Sequence, residues 1–200
     1  MDTKQFYNYL KRFKIYNSSN KKITQQITHT CCGPPYGKYS ISDEALPYFY
    51  VLYAQALKNN IPTHITEMRT KLSPLIIDID YVQKVDTCRS YTEDNIKKVI
   101  ELYNLYILKY VNVSLENLQA FVFEKKEPTI RKNGKIKDGV HIIYPYICIK
   151  SELGYTIRDL VVKEIKDNNY FENIPHTNSL EEIFDKSVIG KTPSLEGMVA

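Results

Sequence analysis

No stretch of the sequence approaches the roughly 18 uninterrupted apolar residues that a membrane span requires. The N-terminal residues 1–5 are polar and lack the apolar segment of a secretory signal. These two absences argue against a membrane-spanning or secreted protein. The expected location is therefore the cytoplasm, and a membrane is not expected among the partners.

Cysteine and glycine are scarce, with 4 and 7 residues respectively. Cys31 and Cys32 are adjacent, whereas Cys88 and Cys148 each stand alone, so the sequence contains no C-x-x-C pair. Such spacing favours neither a zinc site nor a disulfide framework, and reduced thiols are expected instead.

Neither of the two Gly-Lys sequences completes a phosphate-binding loop. The first, residues 33–38, is one residue too short and has no Ser or Thr after its lysine. The second, Gly190-Lys191-Thr192, lacks the upstream glycine. A P-loop nucleotide site is therefore excluded.

The remaining composition is that of an ordinary globular protein, 43% hydrophobic and 25% charged over 200 residues. A chain of this size can bury a real core as one domain, with room for two lobes. The formal net charge of +4 permits a nucleic-acid partner without requiring one.

Hydrophobic periodicity predicts strands that alternate with long helices, and hence an α/β or α+β fold. The predicted helices are residues 3–14, 42–59, 92–110 and 151–168, and the predicted strands are 21–30, 63–69, 75–80, 119–124 and 140–149. Residues 125–138 are predicted to be a polar, lysine-rich connection. The order from residue 72 to 170, strand–helix–strand–strand–helix, suits a ferredoxin-like or RRM-like unit.

Asp78 and Asp80 end the most apolar predicted strand. Residues two apart on a strand share a face, so the two carboxylates lie close together and repel unless a cation lies between them. Mg²⁺ prefers one or two carboxylates together with substrate phosphates. The alternative is a pair of solvated acids at an exposed strand end.

His141 and Asp185 are weaker candidates. His141 opens the apolar strand 140–149, where a neutral imidazole could bond a phosphate or simply be half-buried. Asp185 interrupts a short apolar run, where pairing with Lys186 or capping a turn would explain it.

Taken in order, these motifs resemble the archaeo-eukaryotic primase superfamily. Lys137-Asp138-Gly139-Val140-His141 is similar to the Lys-x-Ser-x-His motif of its primase-polymerase branch, and Asp185-Lys186-Ser187-Val188 resembles the Asp-Lys-x-Val of primases from large DNA viruses. Residues 28–30, 37–39 and 43–44 resemble the N-terminal primase module of viral primase-helicases. The resemblance spans residues 28 to 190.

The resemblance implies a role for each matching position. Asp78, Asp80 and Asp185 would bind two divalent ions, Mg²⁺ or Mn²⁺, and no zinc is expected. Lys137, Gly139 and His141 would contact the incoming nucleotide. Gly139 stands where the motif usually has Ser, and its backbone N–H could replace the missing hydroxyl.

The resemblance also implies an overall organisation and a set of partners. One primase-type catalytic domain would cover residues 1–200, with an N-terminal α/β module (about 1–70) packed on an RRM-like module (about 71–190). The family pattern continues beyond Asp185 in a way that this sequence does not match, so the expected domain is truncated after 190 or is a degenerate copy. Implied partners are a single-stranded DNA template, dNTPs or NTPs, and a replicative helicase in cis or in trans, in the host cytoplasm or at a viral replication site.

Basic and aromatic residues are candidates for template binding. Lys132 and Lys135 belong to a cluster of cations between residues 125 and 137, which a solvated hairpin loop would equally explain. The tyrosines considered for base stacking are Tyr36, Tyr39, Tyr81 and Tyr144. Rival functions left open are a metal-dependent nuclease, an Asp-x-Asp glycosyltransferase, and an eroded RRM-like protein that binds single strands without catalysis.

Overall fold

A computed structural model describes residues 3–16, 26–83, 89–131 and 133–190. The chain divides into two compact units, one ending at Arg69 and the other beginning at Thr70. Each unit combines helices with an antiparallel sheet, so the predicted α+β class is confirmed. Among the described residues, no helix has the length and apolar character needed to cross a membrane.

Unit 1 is built from a small antiparallel sheet in the order β1-β3-β2-β4 and two helices. Its elements are α1 (Thr3–Lys11), β1 (Lys14–Ile15), β2 (His29–Cys31), β3 (Gly37–Tyr39), α2 (Leu46–Lys58) and β4 (Ile65–Glu67). The core holds Phe6, Leu10, Tyr39, Phe49 and Leu52, which lie on α1, β3 and α2. Of the predicted strand 21–30, residues 21–25 lie outside the described part, residues 26–28 are not strand, and the observed strand β2 covers His29–Cys31.

Unit 2 contains the longest strands and helices of the chain. Its elements are β5 (Ser73–Gln83), α3 (Glu93–Tyr110), β6 (Phe121–Glu124), β7 (Thr129–Ile130), β8 (Ile136–Ile149), α4 (Ser151–Asp167) and α5 (Leu180–Ile183), with 3₁₀ turns at Leu115–Asn117 and Lys186–Ile189. A capping box between Thr92 and Asn95 fixes the start of α3. The sheet order is β5-β8-β6, and β7 also pairs with β8.

The two faces of the unit 2 sheet differ in chemistry. One face carries Ile77, Ile79, Val140, Ile142 and Tyr144, which pack with the apolar sides of α3 and α4 into the main core. Because side chains alternate along a strand, the residues between them project from the opposite face. That opposite face carries the candidate site.

The predicted polar connection 125–138 is only partly a connection. It contains β7 and the first three residues of β8, because Ile136 and Asp138 are in phase with the core residues Val140 and Ile142 and are buried with them. A left-handed glycine, Gly134, turns the hairpin between β7 and β8. The interspersed lysines obscured this alternation in the sequence.

Three of the four tyrosines considered for base stacking are buried. Tyr39, Tyr81 and Tyr144 each expose 0% of their surface, so the interpretation of these three as stacking residues is wrong. Tyr81 and Tyr144 occupy core-facing positions of β5 and β8, where an aromatic ring fills volume that a base cannot reach. Tyr36 alone of the four is exposed. The described cysteines, Cys31, Cys32 and Cys148, are free thiols.

Candidate active site

The pairing of β5 with β8 aligns five of the predicted residues on the same face of the unit 2 sheet. Asp78 lies opposite His141, Asp80 lies opposite Gly139, and Lys137 is the next same-face residue of β8. Directly opposed residues of an antiparallel pair share a face, so their side chains lie close together. We call this surface the polar face.

Asp185 lies on the other side of β5 from β8. Phe184 forms an isolated antiparallel bridge with Ile79, and the N–H of Asp185 donates to the Asp78 carbonyl oxygen at 3.0 Å. Since Phe184 shares the core face with Ile79, Asp185 projects from the polar face. The polar face therefore carries Asp185, Asp78 and His141 side by side across three segments.

Asp78 is a buried carboxylate in a poorly compensated environment. It exposes 2% of its surface, and among the described residues its Oδ1 has no hydrogen-bond partner. His141 Nε2 lies 3.3 Å from Oδ1, within ion-pair distance but without hydrogen-bond geometry. Burial, reinforced by the charge of Asp80, raises the pKa of Asp78 to about 7, and Lys137 opposes this rise. A proton, a hydrogen-bond donor or a cation would satisfy such an oxygen.

Asp80 and Lys137 form a close ion pair on the polar face. Lys137 Nζ lies 2.6 Å from Asp80 Oδ2, and both side chains are mostly but not completely buried. Burial lowers the pKa of His141, which favours the neutral form of the imidazole. Lys137, the lysine of the predicted motif, thus contacts one of the two acids, Asp80.

The Asp185 carboxylate is hydrogen-bonded to a residue that follows it closely in the sequence. Oδ1 accepts a hydrogen bond from Ser187 N at 2.8 Å and Oδ2 one from Ser187 Oγ at 2.7 Å, which caps the 3₁₀ turn Lys186–Ile189. In the described parts of the chain, no three His, Cys, Asp or Glu side chains are grouped closely enough to hold a metal ion.

The residues nevertheless suit a divalent ion that arrives with its substrate. Mg²⁺ is commonly held by one or two protein carboxylates, with phosphate oxygens and water completing the shell. Asp78 offers an unbonded buried oxygen, and Asp80 is its same-face neighbour. Rotation of the Asp185 side chain away from Ser187 would add a third carboxylate.

Gly139 is required by the close approach of β5. A Cβ at this position would lie 2.3 Å from the Ile79 carbonyl oxygen and 3.0 Å from Asp80 Oδ1. The N–H of Gly139 donates to Asp138 Oδ1 at 2.9 Å, so it is occupied within the protein. The serine usual at this position of the motif does not fit the observed backbone.

Gly139→Ser, which restores the usual motif, is expected to lower the free energy of unfolding by about 2 kcal/mol or more, because the backbone atom it meets cannot move away cheaply. Urea denaturation measures this change. Gly190→Ala is the control, since its added Cβ meets chiefly the end of the Tyr155 side chain. A Gly139→Ser variant as stable as the wild type would contradict this packing.

Arg158 is a buried residue that sequence reasoning missed. Its Nε and Nη2 donate to the Phe184 carbonyl oxygen at 3.0 and 2.7 Å, and Nη2 also donates to the Glu181 carbonyl oxygen at 2.6 Å. The guanidinium therefore fixes the backbone immediately before Asp185. The sequence feature that could have identified Arg158 is its position within the apolar stripe of α4, between Ile157 and Val161.

A second feature that sequence reasoning missed is the ion pair between Arg89 and Asp138, the residue between Lys137 and Gly139 of the predicted motif. Asp138 is completely buried, and Arg89 Nε donates to its Oδ2 at 3.0 Å. Arg89 also bonds Glu124 and the Lys125 carbonyl oxygen, so it ties β8 to the end of β6. The sequence feature that could have identified this pair is the acid at a core-facing position of β8, because a buried carboxylate without a cationic partner is costly.

Of the two remaining predicted residues, Lys135 is exposed in the hairpin between β7 and β8, and Lys132 lies outside the described residues.

Comparison with known proteins identifies the class of this chain. Residues 28–195 match the family described as "C962R protein N-terminal AEP domain", where AEP denotes archaeo-eukaryotic primase. The match covers most of the chain, so the protein belongs to this family. The resemblance found in the sequence motifs is confirmed.

Two curated relatives come from large DNA viruses. The chain is 39% identical over 189 residues, 94% of its length, to "Putative helicase L207/L206" of Acanthamoeba polyphaga mimivirus. It is 22% identical over 148 residues, 70% of its length, to "Putative helicase 121R" of Invertebrate iridescent virus 3. The chain spans only 19% and 15% of the lengths of these relatives.

At the level of the family, archaeo-eukaryotic primase domains are associated with nucleotidyl transfer of the primase type and generally depend on divalent metal ions.

Proposed function

We propose that this chain is a primase or primase-polymerase catalytic domain that performs template-directed nucleotidyl transfer in viral DNA replication. The observation that carries the proposal is the alignment of Asp185, Asp78 and His141 on one face, where the buried Asp78 Oδ1 has no hydrogen-bond partner among the described residues. A buried carboxylate oxygen without a hydrogen bond is costly, and a substrate-borne cation would relieve the cost.

Each residue of the polar face has a distinct task in this proposal. Asp78 and Asp80, joined by Asp185 when it leaves Ser187, would hold Mg²⁺ or Mn²⁺ against the nucleotide. Two such ions, when bound, stabilise the attacking and leaving oxygens of an in-line displacement at a phosphate. Lys137 exchanges its contact with Asp80 for the triphosphate, and neutral His141 donates a hydrogen bond to a phosphate oxygen. Gly139 lets the two strands approach closely enough to bring these groups together.

We further propose that unit 2 is an RRM-like module and unit 1 the N-terminal module of one catalytic domain. The order β5-α3-β6-β8-α4, with Phe184 pairing along the free side of β5, supports this assignment. The division between Arg69 and Thr70 falls close to the predicted boundary at residue 70.

The proposed partners follow from the family and the relatives. They are a single-stranded DNA template, dNTPs or NTPs, and a replicative helicase in cis or in trans, since both relatives are named as helicases. The proposed location is the host cytoplasm or a viral replication site.

A second candidate is an eroded domain that binds single strands without catalysis. It is favoured by the present engagement of two acids: Asp80 with Lys137, and both oxygens of Asp185 with Ser187. This protein would bind single strands whether or not a divalent ion were present.

An extension assay separates these candidates. The protein is incubated with a single-stranded template, dNTPs or NTPs, and Mg²⁺ or Mn²⁺, and the wild type is compared with the double variant Asp78→Ala/Asp80→Ala. We expect template-dependent products from the wild type and none from the variant. Equal synthesis by both would refute the assignment, and strong strand binding without any synthesis would favour the eroded domain. Strand cleavage without added nucleotides would instead indicate a nuclease.

A further inference from the structure

Two exposed phenylalanines lie on the polar face at the edge of the sheet. Phe121 and Phe123 expose 47% and 55% of their surface. The register of β6 places Phe123 opposite His141 and Phe121 opposite Ile143. Both rings therefore project from the face that carries Asp78. Phe123 extends the line of Asp185, Asp78 and His141 to the sheet edge.

The distance between the two rings suits two nucleic-acid bases that are not stacked on each other. Same-face residues of a strand are roughly 7 Å apart, so two rings can each take one base of an unstacked strand. Val122, between them, lies opposite Ile142 and so belongs to the core-facing side. All four residues of β6 are exposed, Val122 at 41%, so what distinguishes Phe121 and Phe123 is the face that they share with Asp78 and His141.

Basic residues outnumber acids between residues 124 and 135, where Glu124 is paired with Arg89, and this favours an anionic occupant. Lys125 and Lys126 follow β6 directly, and Lys126, Arg131 and Lys135 are exposed. Lys125 is close enough to Asp78 and His141 to influence the titration of both. Exposed apolar rings flanked by cations match a strand that has aromatic faces and a phosphate backbone.

We propose that Phe121 and Phe123 form a stacking platform for unpaired bases of the template strand. The identity of the strand as template rests on the proposed function. Stacking on Phe123 would place a base beside His141, next to the acids. The platform lies on the edge strand β6, and the buried tyrosines of β5 and β8 take no part.

Binding of a fluorescein-labelled, mixed-sequence DNA 12-mer tests this inference. Fluorescence anisotropy is measured in EDTA without nucleotides, so the result does not depend on catalysis. Phe123→Ala and Phe121→Ala are each expected to weaken binding ~5- to 100-fold, with the salt dependence unchanged because no cation is lost. Phe123→Tyr should bind like the wild type. Val122→Ala is the matched control on the same strand and should also bind normally.

Several results would overturn the platform. These are wild-type affinity in both alanine variants, an equal loss in Val122→Ala, or no strand binding by the wild-type protein. A changed oligomeric state of the alanine variants with unchanged DNA affinity would assign the patch to a protein interface instead. The outcome is separable from the proposed function: the Asp78→Ala/Asp80→Ala variant should lose synthesis while keeping phenylalanine-dependent binding.

Discussion

Asp78→Asn is expected to abolish template-directed extension, lowering the rate by about 10³-fold or more, while leaving the fold equally or more stable. The carboxylate is buried beside Asp80, and its Oδ1 has no hydrogen-bond partner in the described part of the chain, so its charge costs folding free energy. The amide has nearly the same shape and no charge. Thermal unfolding at pH 8 and extension kinetics on the same preparation measure the two effects.

Glu101→Gln is the matched control for this variant. It makes the same chemical change at an exposed acid of α3, paired at the surface with Lys98. We expect near wild-type rate and stability from it, because exposed ion pairs contribute little. An Asp78→Asn variant that is markedly less stable than the wild type, or that keeps its rate, would mean that Asp78 is a structural residue.

Arg158→Leu is expected to lower the free energy of unfolding by about 3 kcal/mol. The substitution removes the donors to the carbonyl oxygens of Phe184 and Glu181, and the buried Phe184 group finds no other donor in the described surroundings. Urea denaturation measures the loss. Lys163→Leu on the exposed side of α4 is the control and should change stability by about 0.5 kcal/mol or less.

Arg158→Lys separates positioning from stability. Lysine keeps the charge but cannot bond both carbonyl groups in the arginine geometry, so the backbone before Asp185 is less firmly held. Where the variant is fully folded, we expect kcat to fall about 10-fold with little change in the KM for nucleotide. A wild-type kcat in folded Arg158→Lys would show that Arg158 supports the fold alone.

The parts of the fold that the sequence predicted well are those specified locally. The helix α3 begins within a residue of its prediction, because Thr92 caps it and a single apolar stripe follows. The apolar run predicts the strand β5 at residues 75–80, whereas the observed strand begins earlier and ends later, at Ser73–Gln83. The short strands β1, β3 and β7 were missed, since two or three residues show no usable alternation.

The parts of the site that could not be predicted depend on contacts between distant residues. Arg158 acts on Phe184, 26 positions along the chain, and Arg89 acts on Asp138, 49 positions along. The motif showed Gly139 as a departure, yet only the ladder between β5 and β8 shows why glycine is needed. Likewise, only the register of β6 with β8 shows that Phe121 and Phe123 lie on the polar face.

Binding of Mn²⁺ in the presence of nucleotide, followed by electron paramagnetic resonance, tests most directly whether the polar face is a metal-dependent transfer site. The wild type and Glu101→Gln should bind Mn²⁺, and Asp78→Asn should bind it at least about 10-fold more weakly, because its unbonded carboxylate oxygen is replaced. Equal Mn²⁺ binding by Asp78→Asn and the wild type would contradict the account.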